Sequence, residues 1–322
     1  MTSQIVSPAE MDQAIATLRA GELLAFPTET VYGLGADASN PDAVRKIFKL
    51  KGRPSSHPVI VHIQDVTQLS RWARDVSPMA MKLAAAFWPG PFTLVLKRAP
   101  QVSEVLTGGQ DTIAIRVPRH PIAQQLLAAF GGGIAAPSAN RFGHFSPTLA
   151  SHVRDEFGDS LLVLDGADCE IGLESTIVSC VTDIPQLLRP GGISLSQLRA
   201  VVPEVSGVVT QDAPRAPGML DKHYSPDTPI HLIHSEDLRQ VADDYRRKGQ
   251  QIAVLAMQPS INTNNFTSWI NAGDNPLAYG HSLYANLRQM DKLGTMAILI
   301  EQVPGDESWQ AVRDRLQRAA AK

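Results

Sequence analysis

The chain predicts an α/β protein, a twisted mixed sheet with helices on its faces followed by a smaller Rossmann-like α/β domain. Three observations carry this. Apolar, β-rich runs alternate with legible helix starts over residues 1–200, a proline-rich stretch interrupts the alternation, and three further apolar runs alternate with helical segments after it. At 322 residues the chain exceeds the usual size of one domain, so a catalytic-sized domain at 1–200, a linker at 201–229 and an accessory domain at 230–322 are expected.

The helix starts are read from capping residues set before a proline. Ser7-Pro8 with Glu10, Asn40-Pro41, Ser77-Pro78 and Ser146-Pro147 each place a side-chain acceptor ahead of a proline at the first helical position. Between them lie the strand candidates Leu23–Phe26, Pro58–Ile63, Phe92–Leu96, Thr112–Val117, Gly133–Ala136, Leu161–Leu164, Ser175–Ser179 and Gln186–Arg189. The segment between the last two is short and holds Asp183 and Pro185, which suits a hairpin and makes the sheet mixed. A short helix is expected at Ser194–Ala200. Residues 201–229 then hold five prolines and two glycines, the composition of a linker, yet Pro217–Pro226 crowds Lys222, His223 and Tyr224 where a spacer needs only small polar residues. Beyond it, strands are expected at 230–233, 251–256 and 296–300, with helices near 235–248, 276–292 and 307–321.

Composition narrows the function classes. Lys and Arg number 29 against 32 Asp and Glu, a net charge of -3, which argues against bulk-charge binding to DNA, RNA or an anionic membrane. Cys169 and Cys180 are the only cysteines, too few for a disulfide scaffold and without zinc-site spacing, so a reducing, cytoplasmic setting is expected. No stretch has the length of a membrane span, and the first ten residues lack the pattern of a secretory signal.

Five groups of residues carry chemistry. Pro27-Thr-Glu-Thr-Val-Tyr-Gly-Leu-Gly35 sets hydroxyls and a carboxylate behind an apolar strand, where open α/β sheets place ligands; an ordinary strand-to-helix loop explains the same residues. Lys51 and Arg53, with Ser55, Ser56 and His57 behind them, end a helix. They serve equally to complement the helix dipole or to hold a polyphosphate, the lysine as a point charge and the arginine as a bidentate fork. Ser138 and Asn140 alternate along an extended segment and offer a hydroxyl and an amide to one side, although turn formation would also select them. Arg116 falls among core-pattern residues of a strand, and a charge there usually has an anionic partner. Glu174–Val178 and Leu188–Gly192 add hydroxyls and Arg189 before a glycine turn. The phosphate-binding P-loop, the dinucleotide fingerprint, the zinc-protease helix motif and the nucleophile elbow are all missing from the sequence.

Together, in this order, these groups resemble the YrdC-like family, and the added carboxyl-terminal domain resembles its two-domain members. The specific motifs lie within residues 8–226; residues 227–322 match by position and pattern. The resemblance implies an enzyme that condenses L-threonine, bicarbonate or carbon dioxide, and Mg2+-bound ATP into threonylcarbamoyl-adenylate and pyrophosphate. That product feeds threonylcarbamoylation of an adenosine in tRNA by a downstream transferase complex. By resemblance, Thr30, His62, Arg116, Ser138 and Thr176 hold L-threonine, with Arg116 the partner of its carboxylate. Arg53, His57, Thr112, Asn140, Ser146, Arg189 and Tyr224 contact ATP. His57 stands where relatives often carry Asn. Lys51 and Arg53 are expected to steady the triphosphate as charge builds on its oxygens, positioning and cationic stabilisation being the main sources of rate in such transfers. Tyr224, in the linker, is expected to fold over the nucleotide as a lid. No metal ligand is assigned to the protein, and Glu29 has no assigned role. Two other readings compete: a double-stranded RNA or tRNA-binding module, which the net charge opposes, and the carbamoyl transfer of larger maturation proteins, whose acylphosphatase-like and Cys-rich segments are missing here.

Overall fold

The computed structural model describes residues 6–219, 227–259 and 267–321. It contains two compact units. The first comprises the residues through Phe142 together with Ser146–Met219; the second takes Gly143–Phe145 and the residues from Leu220 onward.

The first unit has the strands β1 (Leu24–Phe26), β2 (Gly33–Asp37), β3 (Ile60–His62), β4 (Ala73–Arg74), β5 (Phe92–Arg98), β6 (Thr112–Arg116), β7 (Ile134–Ala135), β8 (Leu162–Val163), β9 (Thr176–Ser179) and β10 (Gln186–Arg189). Its helices are α1 (Pro8–Arg19), α2 (Pro41–Lys51), α3 (Pro78–Phe87), α4 (Glu104–Thr107), α5 (Pro121–Phe130), α6 (Ala150–Phe157) and α7 (Leu195–Val201). The strands form one sheet in the order β10-β9-β5-β6-β3-β7-β2-β1-β8, with β4 beside β5. The sheet is mixed, as expected: β3 runs parallel to β6 and antiparallel to β7, and β9 and β10 form the antiparallel hairpin.

Period-two alternation divides the side chains between two layers. Ala25, Leu34, Val61, Ile63, Leu94 and Ile115 point into a core closed by Val44, Ile47 and Phe48 of α2 and Leu83 of α3. Leu24, Phe26 and Ile134 point the other way, onto Leu18 of α1 and Leu126 and Leu127 of α5. Burial on both sides explains why the strands read as nearly continuous apolar runs.

Local caps account for most of the helix starts. Ser7 and Glu10 form a reciprocal capping box on α1, Asn40 accepts from the amides of Asp42 and Ala43 on α2, and Ser77 accepts from that of Ala80 on α3. One expected start is corrected. No helix begins at Ser146-Pro147; α6 begins at Ala150 with no side-chain cap, because the Ser146 hydroxyl donates to Glu174 instead. A proline start at α5 escaped the sequence reading since its cap is His120, whose Nδ1 accepts from the amide of Ile122. The stretch after Pro27 leads not to a helix but to β2, which pairs antiparallel with β1.

The second unit carries β11 (Ile230–Ile233), β12 (Ile252–Ala256), β13 (Thr267–Asn271) and β14 (Ala297–Glu301), with α8 (Leu238–Arg247), α9 (Pro276–Asp291) and α10 (Gln310–Ala320). The strands are all parallel in the order β11-β14-β12-β13. The edge strand β13 was not expected, because Thr-Ser-Trp-Ile-Asn has too few aliphatic residues to read as a buried strand. Among the described residues no helix is long and apolar enough to cross a membrane.

Candidate active site

The loop between β1 and β2 is the centre of the site, and backbone hydrogen bonds hold it on several sides. The amide of Tyr32 donates to Pro147 O, that of Leu34 to Pro137 O, that of Ala139 to Tyr32 O and that of Ile171 to Glu29 O, each at 2.8 Å. Pro27 ends β1, and Gly33 lies close to the 136–138 segment, where a Cβ would come within 3.2 Å of the Ala136 side chain. Thr28, Glu29, Thr30 and Tyr32 are thereby buried, although polar.

Proton accounting orients the two threonines. The Thr28 hydroxyl donates to Val31 O at 2.6 Å, so the 2.8 Å contact between the two hydroxyls has Thr30 as donor. Thr30 Oγ1 in turn accepts from Arg116 Nη1 at 2.8 Å. One acceptor lone pair of Thr30 is left for a ligand.

Arg116 ends β6 beside His62 of β3, the two residues being register partners. Its Nε donates to Gly90 O at 3.2 Å, and its Nη2 lies 2.8 Å from Glu29 Oε1. Both side chains of this ion pair are buried, at 4% and 2% exposure. The expected anionic partner of Arg116 within the protein is therefore Glu29. Burial pushes the Glu29 carboxyl up, but the Arg116 charge and nearby backbone amides outweigh it and hold the group below the usual carboxylate range. His62 is driven the other way: burial, then the Arg116 charge, lower it to about 3, so its imidazole is neutral at physiological pH. The ring meets Phe26 edge-on at 6.0 Å, and among the described residues its Nδ1 has no aligned hydrogen-bond partner.

Next to this cluster, Lys51 turns inward from the last turn of α2. Its Nζ donates to Ser138 O at 2.6 Å and Asn140 O at 2.5 Å. Burial and then the Arg53 charge place its pKa well below the ordinary lysine value. Lys51 thus fastens the 138–140 segment by its carbonyls. Arg53 follows the left-handed Gly52, φ 64°, that ends α2, and its Nη2 donates to Pro58 O at 2.9 Å. His57 stacks obliquely on Phe142 at 5.6 Å; burial, then Arg53 and Arg215, lower its pKa.

The remaining expected residues make contacts of their own. Ser146 donates to the buried Glu174 Oε1 at 2.5 Å. Arg189 binds Ser175 O through Nε at 3.1 Å and Nη2 at 2.9 Å, and reaches Pro217 O at 2.9 Å. Thr112 opens β6, half-buried, opposite Lys97. Thr176 turns its hydroxyl to Ile193, donating to the carbonyl at 2.8 Å and accepting from the amide at 2.9 Å, which leaves one acceptor lone pair, as in Thr30. Its neighbour Ser175 pairs with Thr93 at 2.7 Å and with Arg189 Nη2 at 3.1 Å. Ser175 belongs to the Glu174–Val178 group of hydroxyls read from the sequence but was given no role there, and Thr93 passed for an ordinary strand residue. Tyr224 and the expected lid lie outside the described residues.

The structure therefore joins Thr30, Glu29 and His62 around Arg116, and joins Lys51 to Ser138 and Asn140. Among the described residues no three His, Cys, Asp or Glu side chains cluster as a metal site.

The chain is similar to known proteins along nearly its whole length. Residues 16–191 match the family described as "Telomere recombination", and residues 193–321 match "Threonylcarbamoyl-AMP synthase, C-terminal domain". A threonylcarbamoyl-AMP synthase of Bacillus subtilis is 39% identical over 97% of this chain and 93% of its own length. One from Pyrococcus abyssi is 38% identical over 94% of this chain and 92% of its own. The crystal structure of the Pyrococcus abyssi protein Sua5, complexed with L-threonine, superposes with a TM-score of 0.90 at 36% identity, covering 98% of this chain and 96% of that one. With both sequence families matched end to end and the fold shared over nearly the whole chain, the protein belongs to the YrdC-like family, in its two-domain branch.

Proposed function

We propose that this chain is a threonylcarbamoyl-AMP synthase, which joins L-threonine, bicarbonate or carbon dioxide, and ATP and releases pyrophosphate. The observation that supports it most is the buried Arg116, set between Thr30 and Glu29 beside a neutral His62, in a chain whose relatives carry that name. Arg116 Nη2 has donors without an aligned hydrogen-bond partner, and an amino-acid carboxylate is the matching anion. Thr30 offers an acceptor and His62 a neutral ring to the amine and hydroxyl of threonine.

The amine attacks carbon dioxide, and the carbamate then attacks the α-phosphorus of ATP as pyrophosphate leaves. Arg53 stands at the triphosphate as a cationic fork. Lys51 acts there through the carbonyls it holds, keeping Ser138 toward threonine and Asn140 toward the nucleotide. His57, Thr112, Ser146 and Arg189 complete the ATP side. Mg2+, bound with the triphosphate, would neutralise phosphate charge. The product would pass to a tRNA threonylcarbamoyl-transferase complex.

Purified protein given L-threonine, bicarbonate and Mg-ATP should release pyrophosphate only when threonine is present. Equal release without threonine would sink the reading.

A further inference from the structure

Glu29 is a buried carboxylate that no step above uses. Among the described residues neither of its oxygens has an aligned hydrogen-bond donor, although Oε1 sits 2.8 Å from Arg116 Nη2. An isolated buried arginine is strongly unfavourable, and a long guanidinium side chain without a counter-charge would turn toward solvent. Here three contacts set its plane: Gly90 O at Nε, Thr30 at Nη1 and Glu29 at Nη2. The first two are hydrogen bonds to neutral groups. Glu29 alone supplies charge, and Ile171 pins its backbone at 2.8 Å.

Resting on the assignment of Arg116 to the threonine carboxylate, we infer that Glu29 is a positioning residue for L-threonine, holding the Arg116 guanidinium in the orientation that receives the substrate. The pair is neutral as a whole, so a zwitterionic amino acid enters without burying net charge. Glu29 meets Nη2 at 2.8 Å without an aligned hydrogen bond, which leaves that nitrogen able to donate to the incoming carboxylate. The nucleotide side, built on Arg53, Lys51 and Arg189, shares no described hydrogen bond with Glu29 and is not expected to respond to its loss.

The test is a double-mutant cycle read by calorimetric binding of L-threonine without nucleotide, alongside the KM for Mg-ATP. Glu29→Ala is expected to weaken threonine binding about 10- to 100-fold, the usual consequence of slight misplacement of a binding group, and to leave the KM for Mg-ATP within experimental error. In an Arg116→Met background, Glu29→Ala should have no further effect on threonine affinity, because Glu29 acts through Arg116. Additive losses, an unchanged threonine affinity, or a parallel rise in the KM for Mg-ATP would overturn the inference. If Glu29→Ala does not fold, Glu29→Gln keeps the shape and one acceptor and should still weaken binding about threefold, since a charge-assisted contact is lost. Unchanged affinity in that folded variant would overturn it equally. Should Arg116→Met alone leave threonine affinity intact, the assignment of Arg116 to the carboxylate fails, and the role of Glu29 fails with it.

Discussion

At the scale of single residues, the sequence made the chemistry of the site legible but not the partners. Arg116 stood out as a charge in a core pattern, and Thr30 as one hydroxyl in a dense loop; that Glu29 would lie against Arg116 depends on a contact between residues 87 positions apart, which no local spacing encodes. Lys51 shows the opposite limit. A lysine at a helix end suits water or phosphate, yet here it is buried on two carbonyls. Lys51→Met should cost about 2–4 kcal/mol, since both carbonyls lose a charged donor, and should raise the KM for ATP; urea unfolding and steady-state kinetics read the two effects. Thr30→Val keeps the side-chain volume but leaves Arg116 Nη1 and Thr28 without their partner. The KM for L-threonine should rise about tenfold with little change for ATP, and equal KM values would remove the hydroxyl from the site.

Elements were legible where capping chemistry is local and obscure where it is not. Ser7, Asn40 and Ser77 cap as their spacing predicts, whereas Ser146 satisfies Glu174, 28 residues away, and yields its expected helix start to Ala150. The β9–β10 hairpin was foreseen, but the reason for the glycine turn after it was not. A Cβ on Gly191 would lie 2.3 Å from Thr176 N and 2.6 Å from Glu174 O, backbone atoms that cannot yield cheaply. Gly191→Ala should therefore lower stability by about 1–3 kcal/mol and slow pyrophosphate release by displacing Glu174 and Ser146; a urea midpoint equal to wild type would show that the turn relaxes.

At the scale of the whole molecule, the alternation of apolar runs and capped helices was enough for an α/β fold with a mixed sheet. The strand order was not readable, because neighbours such as β9 and β5 are brought together by packing rather than by adjacency in the chain. Acid should destabilise the protein through its buried groups. The His62 pKa is lowered to about 3, so between pH 6.5 and 3 the unfolded chain takes up a proton that the folded state refuses, and stability falls as pH falls. Glu29, lowered in the folded state, adds a loss in the same direction below its ordinary range. The His62 part amounts to about 2 kcal/mol at pH 5, and His62→Gln should flatten the acid limb of a urea-midpoint titration. An unchanged slope would exclude His62 as its source. One property of the β1–β2 loop reaches beyond this chain. Its ties to residues 137, 139, 147 and 171 run from main chain to main chain, so they survive almost any side-chain replacement that leaves an amide in place. Such a cradle is held by the backbone itself, so side chains around it can be exchanged while the loop keeps its place.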